Sequence, residues 1–410
     1  MVVFQRGERE FSIEDGARRA ISTMDELGLT PQLDCYGGDP TVWRCVLFGG
    51  GRAVPSGLGY GKGRVAGARV GALYEALEHH LTQQHGFAPA KLQLRTCAEV
   101  AQSALSSEAY AGILAEQPDS LIACRLYHQL GGTDTLAVPL FLSNVEWVED
   151  RAAPLRAQLG DTTDYRPLAR YSSNNGSAIG GSLTEALVHA INETIERDAV
   201  SLLLARTFLA ATPAPPAFLA LDTLPAELRE LHRRVQTRMG RQVWLVDITT
   251  DLGVPTTLAY APGPRGHYVR GCGTSLSRHY SIERALTELL ECHLTDDRLG
   301  DRLAGIQLLG AYPALQACAA FDLHAPTAST SRVPYIDTPA PPSPDQHLQT
   351  LLETLANRGF TAYLSQVYAS ANEITAVHVH VPGLEHFHLI ADGPSAVLPG
   401  RRALTAAQAR

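Results

Sequence analysis

Three segments of this 410-residue chain share one plan, a glycine-rich stretch followed by a predicted helix that carries two glutamates three residues apart. Residues at this spacing lie about 60° apart around a helix axis and therefore share a face. We expect each helix to present two carboxylates on one side. The three pairs are Glu75 and Glu78, Glu193 and Glu196, and Glu288 and Glu291.

A glutamate pair of this kind is common on solvated helix faces, and for a single helix that explanation is sufficient. Two observations favour a binding role here. In "ALYEALEHHL" and "ALTELLECHL" the glutamates stand among apolar residues, without the lysines that usually pair with them on exposed faces, and the arrangement occurs three times. Clustered carboxylates repel one another unless a cation compensates, and hard oxygen ligands suit Mg²⁺. The pattern predicts bound magnesium, which in such sites usually accompanies phosphates.

The glycine-rich stretches, which we expect to be turns, offer complementary contacts for phosphate. "GYGKG" (Gly59 to Gly63) places Lys62 beside backbone that a ligand can approach closely. It is not a Walker loop, because GxxxxGK[ST] requires glycine where the chain has Ser56 and serine or threonine where it has Gly63. Residues 172–181, "SSNNGSAIGG", offer small polar side chains and free amides ahead of a helix N-terminus.

Composition excludes several classes of protein. The net charge of -8, with no basic run, argues against a surface that binds nucleic acid. The seven cysteines are scattered without a CxxC pair, so neither a disulfide framework nor a zinc ribbon is indicated. The N-terminus lacks the apolar core of a secretion signal, and no apolar stretch could cross a bilayer. We expect a cytoplasmic protein with no membrane contact.

The remaining pattern predicts an α/β or α+β fold with mixed sheets. A helix is expected over residues 12–28, because Ser12 followed by Asp15 resembles the opening of a capping box. Five runs rich in β-branched or aromatic residues and bounded by turn formers are predicted strands. They are Thr41 to Phe48, Leu136 to Leu142, Val243 to Ile248, Thr256 to Ala261 and Ile374 to Val381.

These residues resemble the YcaO family. The segment "SNNGSAIGGSLTEALVHAINETIERD" is similar to the family signature, which has an SNG-type turn, a glycine-rich step and a helix with EA and ExxERD. The first and third acidic segments resemble the family's GKG…AL-E-ALE and G-x-G…AL-T-E elements. "VHVHVPGLE" (Val377 to Glu385) and "GPSAVLPGRRAL" (Gly393 to Leu404) resemble its C-terminal stretches. The resemblance implies a lead-in segment over residues 1–54 and a catalytic domain over residues 55–410, with three acidic helices lining a nucleotide site.

The resemblance also assigns residues to ligands. It implies that magnesium is held by Glu75, Glu78, Glu193 and Glu196. It implies that ATP, its phosphates or a second magnesium is contacted by Lys62, Ser173, Asn175, Glu185 and Arg197. It places three further residues beside the site, His79, Glu288 and Glu291.

The activity that the resemblance implies is ATP-dependent activation of a backbone amide in a ribosomally made precursor peptide. A Cys, Ser or Thr side chain as nucleophile gives a thiazoline or oxazoline, which we place first. An amine gives an amidine and sulfide gives a thioamide, as a stand-alone member would form. Implied partners are the peptide, a leader-peptide-binding protein, a flavin dehydrogenase and a second copy of the chain.

Several positions depart from the family pattern, and other residues allow alternative functions. His79 stands where an arginine often follows the first ExxE, and Gly181 stands where an asparagine is usual. A scaffold that binds peptide without turnover is the alternative of another class, but it predicts broken carboxylate pairs, and all three are intact. His378 and His380 share a face of a predicted strand and could ligate a metal, yet no cysteine or carboxylate completes a recognisable pattern.

Overall fold

The computed structural model of the chain describes residues 7–84, 91–263, 267–295, 299–323, 331–391 and 396–408. Its first helix, α1 (Ile13–Glu26), begins as predicted, because Ser12 is the N-cap and its Oγ accepts a hydrogen bond from the Asp15 N–H at 3.0 Å. An antiparallel sheet follows, in which each strand pairs with the next along the chain. Its strands are β1 (Leu29–Cys35), β2 (Thr41–Gly49) and β3 (Arg52–Gly63).

A larger sheet gathers strands from distant parts of the chain. Its members are β4 (Leu92–Thr96), β5 (Leu121–Gln129), β6 (Thr135–Pro139), β7 (Ser177–Gly180), β13 (Tyr363–Ala369) and β14 (Thr375–His380). The order is β4-β5-β13-β14-β7, and β6 pairs with β5. Strand β14 is buried along its whole length, which accounts for its run of apolar and β-branched residues. The neighbouring β7 is a short edge strand that leads into the second acidic segment.

The third sheet among the described residues combines both strand directions. Its members are β8 (Ala217–Leu219), β9 (Trp244–Asp247), β10 (Thr256–Pro262), β11 (Tyr268–Thr274) and β12 (Ser331–Val333). The order is β11-β10-β9-β8-β12, in which β12 runs parallel to β8 and the other pairs are antiparallel. Strand β11, at one edge, leads into the third acidic segment.

The helices cover the faces of these sheets. They are α2 (Val65–Gln84), α3 (Cys97–Ala101), α4 (Ala111–Ala115), α5 (Ala153–Leu159), α6 (Leu183–Leu204), α7 (Ala226–Met239), α8 (Arg278–Thr295), α9 (Leu299–Leu308), α10 (Pro313–Ala320), α11 (Pro344–Ala356) and α12 (Arg401–Gln408). Helix α2 packs on β3, α6 on β7 and β14, and α8 on β10 and β11. The predicted α/β class with mixed sheets is confirmed. Over the ranges given above, every helix is too short or too polar to span a bilayer.

Each acidic helix follows a strand and packs directly against it, and glycine makes this close approach possible. A Cβ added to Gly61 of β3 would lie 1.8 Å from the carbonyl oxygen of Ala68 in α2. One added to Gly271 of β11 would lie 2.1 Å from the backbone nitrogen of Leu289 in α8, and one added to Gly180 of β7 would lie 2.4 Å from a backbone nitrogen of α6. Only a residue without a side chain lets strand and helix backbones touch in this way. The three segments therefore form three similar β–α units.

The prediction that the glycine-rich stretches are turns is wrong for most of their length. "GYGKG" forms the end of β3, residues 177–180 form β7, and the "GCG" of the third segment lies in β11. Glycine has a low strand propensity, and the prediction of turns was based on that propensity. The helix packed on each strand overrides the preference, because any larger residue would collide with it.

The other predicted elements differ from the structure mainly at their ends. The strand predicted over Leu136 to Leu142 stops at Pro139, and residues 140–142 form a 3₁₀ turn. Each of the remaining four predicted strands agrees with an observed strand to within one residue at either end. The domain boundary predicted after residue 54 lies inside β3, and the division into two units stays a prediction. In the C-terminal stretch that resembles the family, residues 393–395 lie outside the described residues.

Candidate functional site

The three β–α units bring the predicted glutamates into one group, which we call the acidic cluster: Glu75, Glu78, Glu193, Glu196, Glu288 and Glu291. Carboxylates of different helices influence one another, since Glu75 is affected by Glu288 and Glu193, and Glu78 by Glu193. Glu78 Oε2 also accepts a hydrogen bond from the Ile179 N–H at 3.1 Å, which ties α2 to β7. The cluster is thus shared by helices that are far apart in the sequence.

The electrostatics of the acidic cluster are those of negative charges held close together with little water. Burial raises the pKa of Glu75 to about 7, with Lys62 opposing the shift and Glu288 adding to it. Burial likewise raises the pKa of Glu193 to about 7, against the influence of Arg197. A bound cation would offset both the cost of burying these carboxylates and their mutual repulsion, because it would compensate the charge that they carry when ionised.

Lys62 lies across the third glutamate pair. Its Nζ is 3.1 Å from Glu288 Oε2 and 3.6 Å from Glu291 Oε2. Burial alone would lower the pKa of Lys62, but the two carboxylates outweigh it and the pKa is raised. Burial raises the pKa of Glu291 to about 8, whereas the pKa of Glu288 is lowered because Lys62 and Arg197 outweigh its burial. The third pair therefore holds a cationic side chain in the structure.

Two arginines add positive charge to the acidic cluster. The guanidinium of Arg197 lies 3.7 Å from Glu193 Oε1, one helical turn away on α6. Arg284 projects from α8, and its pKa is raised because Glu196 and other acidic neighbours outweigh its burial. Six carboxylates thus face Lys62, Arg197 and Arg284, which leaves an excess of negative charge when all the carboxylates are ionised.

Glu185, at the first turn of α6, is engaged by the N-terminal segment of the chain. Its Oε1 accepts a hydrogen bond from the Glu10 N–H at 2.6 Å, and its Oε2 accepts one from the Gly181 N–H at 3.0 Å. The Arg9 guanidinium lies 3.7 Å from the same carboxylate. Residues 7–11 therefore run beside the acidic cluster and bring Arg9 to its edge.

The other predicted site residues make their hydrogen bonds with residues outside the acidic cluster. The Asn175 N–H donates to Ser173 Oγ at 3.2 Å, and Asn175 Nδ2 lies 3.2 Å from His386 Nδ1. His79 Nδ1 lies 2.6 Å from the carbonyl oxygen of Leu58 in β3. Burial lowers the pKa of His79, so its ring is neutral at neutral pH. The predicted nucleotide contacts of these residues stay predictions.

Sequence reasoning missed three residues that the structure places beside the acidic cluster. Arg284 precedes Glu288 by four residues and His189 precedes Glu193 by four, so each shares a helix face with a predicted ligand. Helical spacing alone could have found both. Arg9 had no such signal, because the resemblance does not cover the first fifty residues.

The donor set of the acidic cluster fits magnesium. It consists of carboxylate oxygens, and among the described residues Glu196 Oε2 is buried without a hydrogen-bond partner. Across the described ranges no three His, Cys, Asp or Glu side chains are arranged to hold a metal ion, so neither this cluster nor the His378–His380 pair is a preformed cage. Magnesium usually takes one or two carboxylates and completes its shell with water and phosphate oxygens. Pairs of glutamates suit that mode of binding.

Solved structures share the fold of the whole chain. YcaO from Methanopyrus kandleri, bound with AMPPCP and Mg²⁺, aligns with a TM-score of 0.64 at 19% identity, over 94% of this chain and 94% of that one. A heterocyclase in complex with substrate and cofactor aligns with a TM-score of 0.64 at 18% identity, over 93% of this chain and 54% of that one. The Escherichia coli microcin synthetase McbBCD complex gives 0.58 at 13% identity, over 87% and 88%. At these identities the likeness shows the fold alone.

Sequence relatives and a family model complete the comparison. A protein of Methanothermobacter thermautotrophicus is 34% identical over 128 residues, which cover 30% of this chain and 32% of the relative. A protein of the tfuA 3′ region in Rhizobium leguminosarum bv. trifolii is 32% identical over 146 residues, which cover 33% and 34%. The chain thus spans about a third of the length of these curated relatives. The model of the YcaO cyclodehydratases, a family described as ATP- and Mg²⁺-binding, matches residues 60–385. Because the match covers most of the 410-residue chain, this chain belongs to the YcaO family.

Proposed function

We propose that the acidic cluster binds ATP together with Mg²⁺ and that the enzyme uses them to activate a backbone amide of a peptide substrate. The observation that carries this proposal is the group of glutamates from α2, α6 and α8, whose negative charge, when all of them are ionised, exceeds that of the cations beside it. A polyphosphate alone would worsen this excess. Phosphate accompanied by magnesium fits, because the metal can bridge carboxylate and phosphate oxygens.

In this proposal the first two glutamate pairs hold magnesium. Glu75 and Glu78 of α2 face Glu193 of α6, so the ligands come from two helices that their strands hold firmly. Glu196 adds a buried oxygen that has no hydrogen-bond partner in the part of the chain that the structure describes. Fixed ligands of this kind are expected in phosphoryl transfer, where catalysis depends on positioning and on charge stabilisation.

The cationic residues contact the phosphates. Lys62 reaches the acidic cluster from β3 and is held there by Glu288 and Glu291. Arg197 and Arg284 approach from α6 and α8. Lysine and arginine in such positions neutralise charge as it develops on a transferred phosphoryl group. We therefore give the third glutamate pair a supporting role, in which it orients Lys62.

The substrate is a ribosomally made precursor peptide, and the first expectation is cyclisation of Cys, Ser or Thr onto the preceding amide. ATP supplies the phosphoryl group that turns the amide oxygen into a leaving group. The chain's own contribution is to hold the reactants together. Ser173 and Asn175 would take part in this, because they lie in the turn that leads to β7 and α6. A solved heterocyclase of the same fold was captured with substrate and cofactor, and the microcin synthetase is a complex of several proteins. A leader-binding partner for this chain is consistent with both.

Calorimetric titration of ATP tests the nucleotide site without knowledge of the peptide. The wild type is titrated with and without Mg²⁺, and the Glu193→Gln/Glu196→Gln variant is titrated with it. The matched control is Glu227→Gln/Glu230→Gln, a pair with the same spacing on α7, where Glu227 and Glu230 are solvent-exposed. We expect binding that requires Mg²⁺, survives in the control and falls at least about tenfold in the cluster variant.

Two results would contradict the proposal. Binding by the cluster variant as tight as by the control would remove the acidic cluster from the nucleotide site. A wild type that binds no ATP at any magnesium concentration would favour the scaffold that binds peptide without turnover. If binding is found, a peptide that loses the mass of water only when ATP is present would identify the cyclisation.

A further inference from the structure

A second group of polar side chains lies at the end of β14, and the proposed nucleotide site does not use it. We call it the histidine cluster: Glu108, Asn175, His380 and His386. The rings of His380 and His386 are stacked, with centroids 5.9 Å apart and an angle of 13° between their planes. His380 and Glu108 are buried, whereas His386 and Asn175 are half-buried. The cluster therefore has one buried end and one end that solvent reaches.

The buried end of the histidine cluster contains a polar atom without a protein partner. His380 is 7% exposed, and among the described residues its Nε2 has no hydrogen-bond partner. Glu108 Oε1 is 4.0 Å from this nitrogen, which is too far for a hydrogen bond, and it accepts instead from the Gly383 N–H at 2.8 Å. Burying a polar atom without a partner costs about 1–3 kcal/mol. Such an atom is typical of a site that a ligand or water completes.

At the other end, the partner of His386 determines where its ring proton lies. Asn175 Nδ2 is 3.2 Å from His386 Nδ1. An amide nitrogen of this kind only donates hydrogen bonds, so Nδ1 is the acceptor. A neutral imidazole that accepts at Nδ1 carries its proton at Nε2. Within the described ranges Nε2 has no protein partner, so His386 leaves one N–H donor for a ligand.

The histidine cluster is almost uncharged at neutral pH, unlike the acidic cluster. Burial lowers the pKa of His386 to about 4 and, with His386 nearby, the pKa of His380 to about 3. Burial raises the pKa of Glu108 to about 8, so its carboxyl group is mostly protonated. Neutral donors and acceptors in a desolvated site suit an uncharged polar ligand better than a phosphate or a metal ion. A backbone amide is such a ligand, because its carbonyl oxygen accepts and its N–H donates.

Strand β7 connects the histidine cluster with the acidic cluster. Asn175 precedes Ile179 by four residues, and the Ile179 N–H donates to Glu78 Oε2 of the acidic cluster. Four residues of chain span at most about 14 Å. A peptide amide at the histidine cluster and a phosphate at the acidic cluster can therefore be neighbours.

We propose that the histidine cluster binds a main-chain amide of the peptide substrate, in which the His386 Nε2–H donates to the carbonyl oxygen and Asn175 is the positioning residue that fixes the tautomer. The inference rests on the proposed function, since it takes the substrate to be a peptide. The hydroxyl or thiol of the residue that follows the amide lies at the buried end, because such a group both donates and accepts and can pair with His380 Nε2.

An uncharged fragment tests this site before the natural peptide is identified. The probe is N-acetylglycylserine N-methylamide, which has an amide followed by a hydroxyl group, and inorganic phosphate is the charged control. Each is titrated at about pH 7 into the full chain labelled with ¹⁵N-histidine. We expect the fragment to shift the ring signals of both His380 and His386, the latter protonated at Nε2, and phosphate to leave them in place.

Two substitutions separate the donor of His386 from its ring. In His386→Gln the side-chain amide can reach the place of Nε2 and keep a donor there. In His386→Phe the ring can still stack on His380, but the donor is lost. With the His380 signals as the readout, we expect the fragment to bind His386→Gln within about twofold of wild type and His386→Phe at least about fivefold more weakly.

Thermal melting of both variants verifies that they are folded. The inference is overturned if the fragment shifts neither ring, which would mean that water alone fills the site. It is also overturned by a proton found at His386 Nδ1, by phosphate shifting the signals as the fragment does, or by equal affinity in the two variants. If the fragment binds but the wild type binds no nucleotide, the proposed function fails. If the nucleotide binds and the fragment does not, this inference alone fails.

Discussion

Replacing Gly61 with alanine tests whether contact between strand and helix backbones sets the position of the acidic cluster. The added Cβ would lie 1.8 Å from the Ala68 carbonyl oxygen, whereas ordinary contacts begin at 3.4 Å. Helix α2 must therefore move away from β3 by about 1.6 Å, because neither backbone can rotate out of the way. Overpacking of this kind costs about 1–3 kcal/mol, and we expect a loss in the free energy of unfolding of at least about 2 kcal/mol.

The same displacement should reach the acidic cluster. Helix α2 carries Glu75 and Glu78, and a site that depends on positioning is sensitive to a misplacement of about 1 Å, so we expect the affinity for ATP with Mg²⁺ to fall at least about tenfold. The assay is urea denaturation together with calorimetric titration of ATP and Mg²⁺. Gly67→Ala is the control, since Gly67 lies in the same helix and a Cβ there would meet no atom within 4 Å. It should stabilise the protein by up to about 1 kcal/mol, because alanine favours the helix.

One pair of results would refute this reasoning. If Gly61→Ala were as stable as Gly67→Ala and bound the nucleotide equally well, then β3 and α2 would have room to separate. The acidic cluster would in that case be positioned by side-chain packing, and the glycines of the β–α units would have no such role.

Two further predictions concern pH and the C-terminal helix. The pKa values of Glu75 and Glu193 are about 7, against 4.5 for free glutamate. Between these values the native state keeps protons that the unfolded state releases. The free energy of unfolding therefore falls as the pH rises from about 4.5 to about 7. Mg²⁺ should therefore raise the melting temperature more at about pH 8 than at about pH 5.5, and an equal rise would contradict this. Arg402→Gln should cost about 3–5 kcal/mol in urea denaturation, because Arg402 Nε donates to the buried Asp198 at 2.8 Å. Asp251→Asn removes only the exposed partner of that arginine and should cost less than about 1 kcal/mol.

Helix α1, the three acidic helices and five of the strands could be read from the sequence because their signals are local. Ser12 with Asp15 marked the start of α1, and apolar runs marked β2, β9, β10 and β14. The glycine strands could not be read in this way. Their conformation is imposed by helices that pack on them, and a propensity taken from the residue alone points to a turn. Tertiary contact decided these elements.

The candidate site likewise contains residues that a local pattern predicts and pairings that only tertiary contact determines. Helical spacing predicted the paired carboxylates, and it could also have found His189 and Arg284. The engagement of Glu185 by the Glu10 N–H joins positions 175 residues apart in sequence, and no local pattern carries that information. The placement of Lys62 against Glu288 likewise depends on β3 meeting α8. Such pairings follow from topology, which the sequence of one chain does not display.

The direct seating of each acidic helix on its strand has a consequence for how such a protein can change over time. A contact between two main chains has no rotamers, so its spacing does not depend on which apolar side chains fill the space around it. Substitutions can accumulate in the surrounding core while the helix axis keeps its place. Methanopyrus YcaO shares the fold of this chain at 19% identity. A site anchored in this way can keep its carboxylates in register while the rest of the surface is free to diversify.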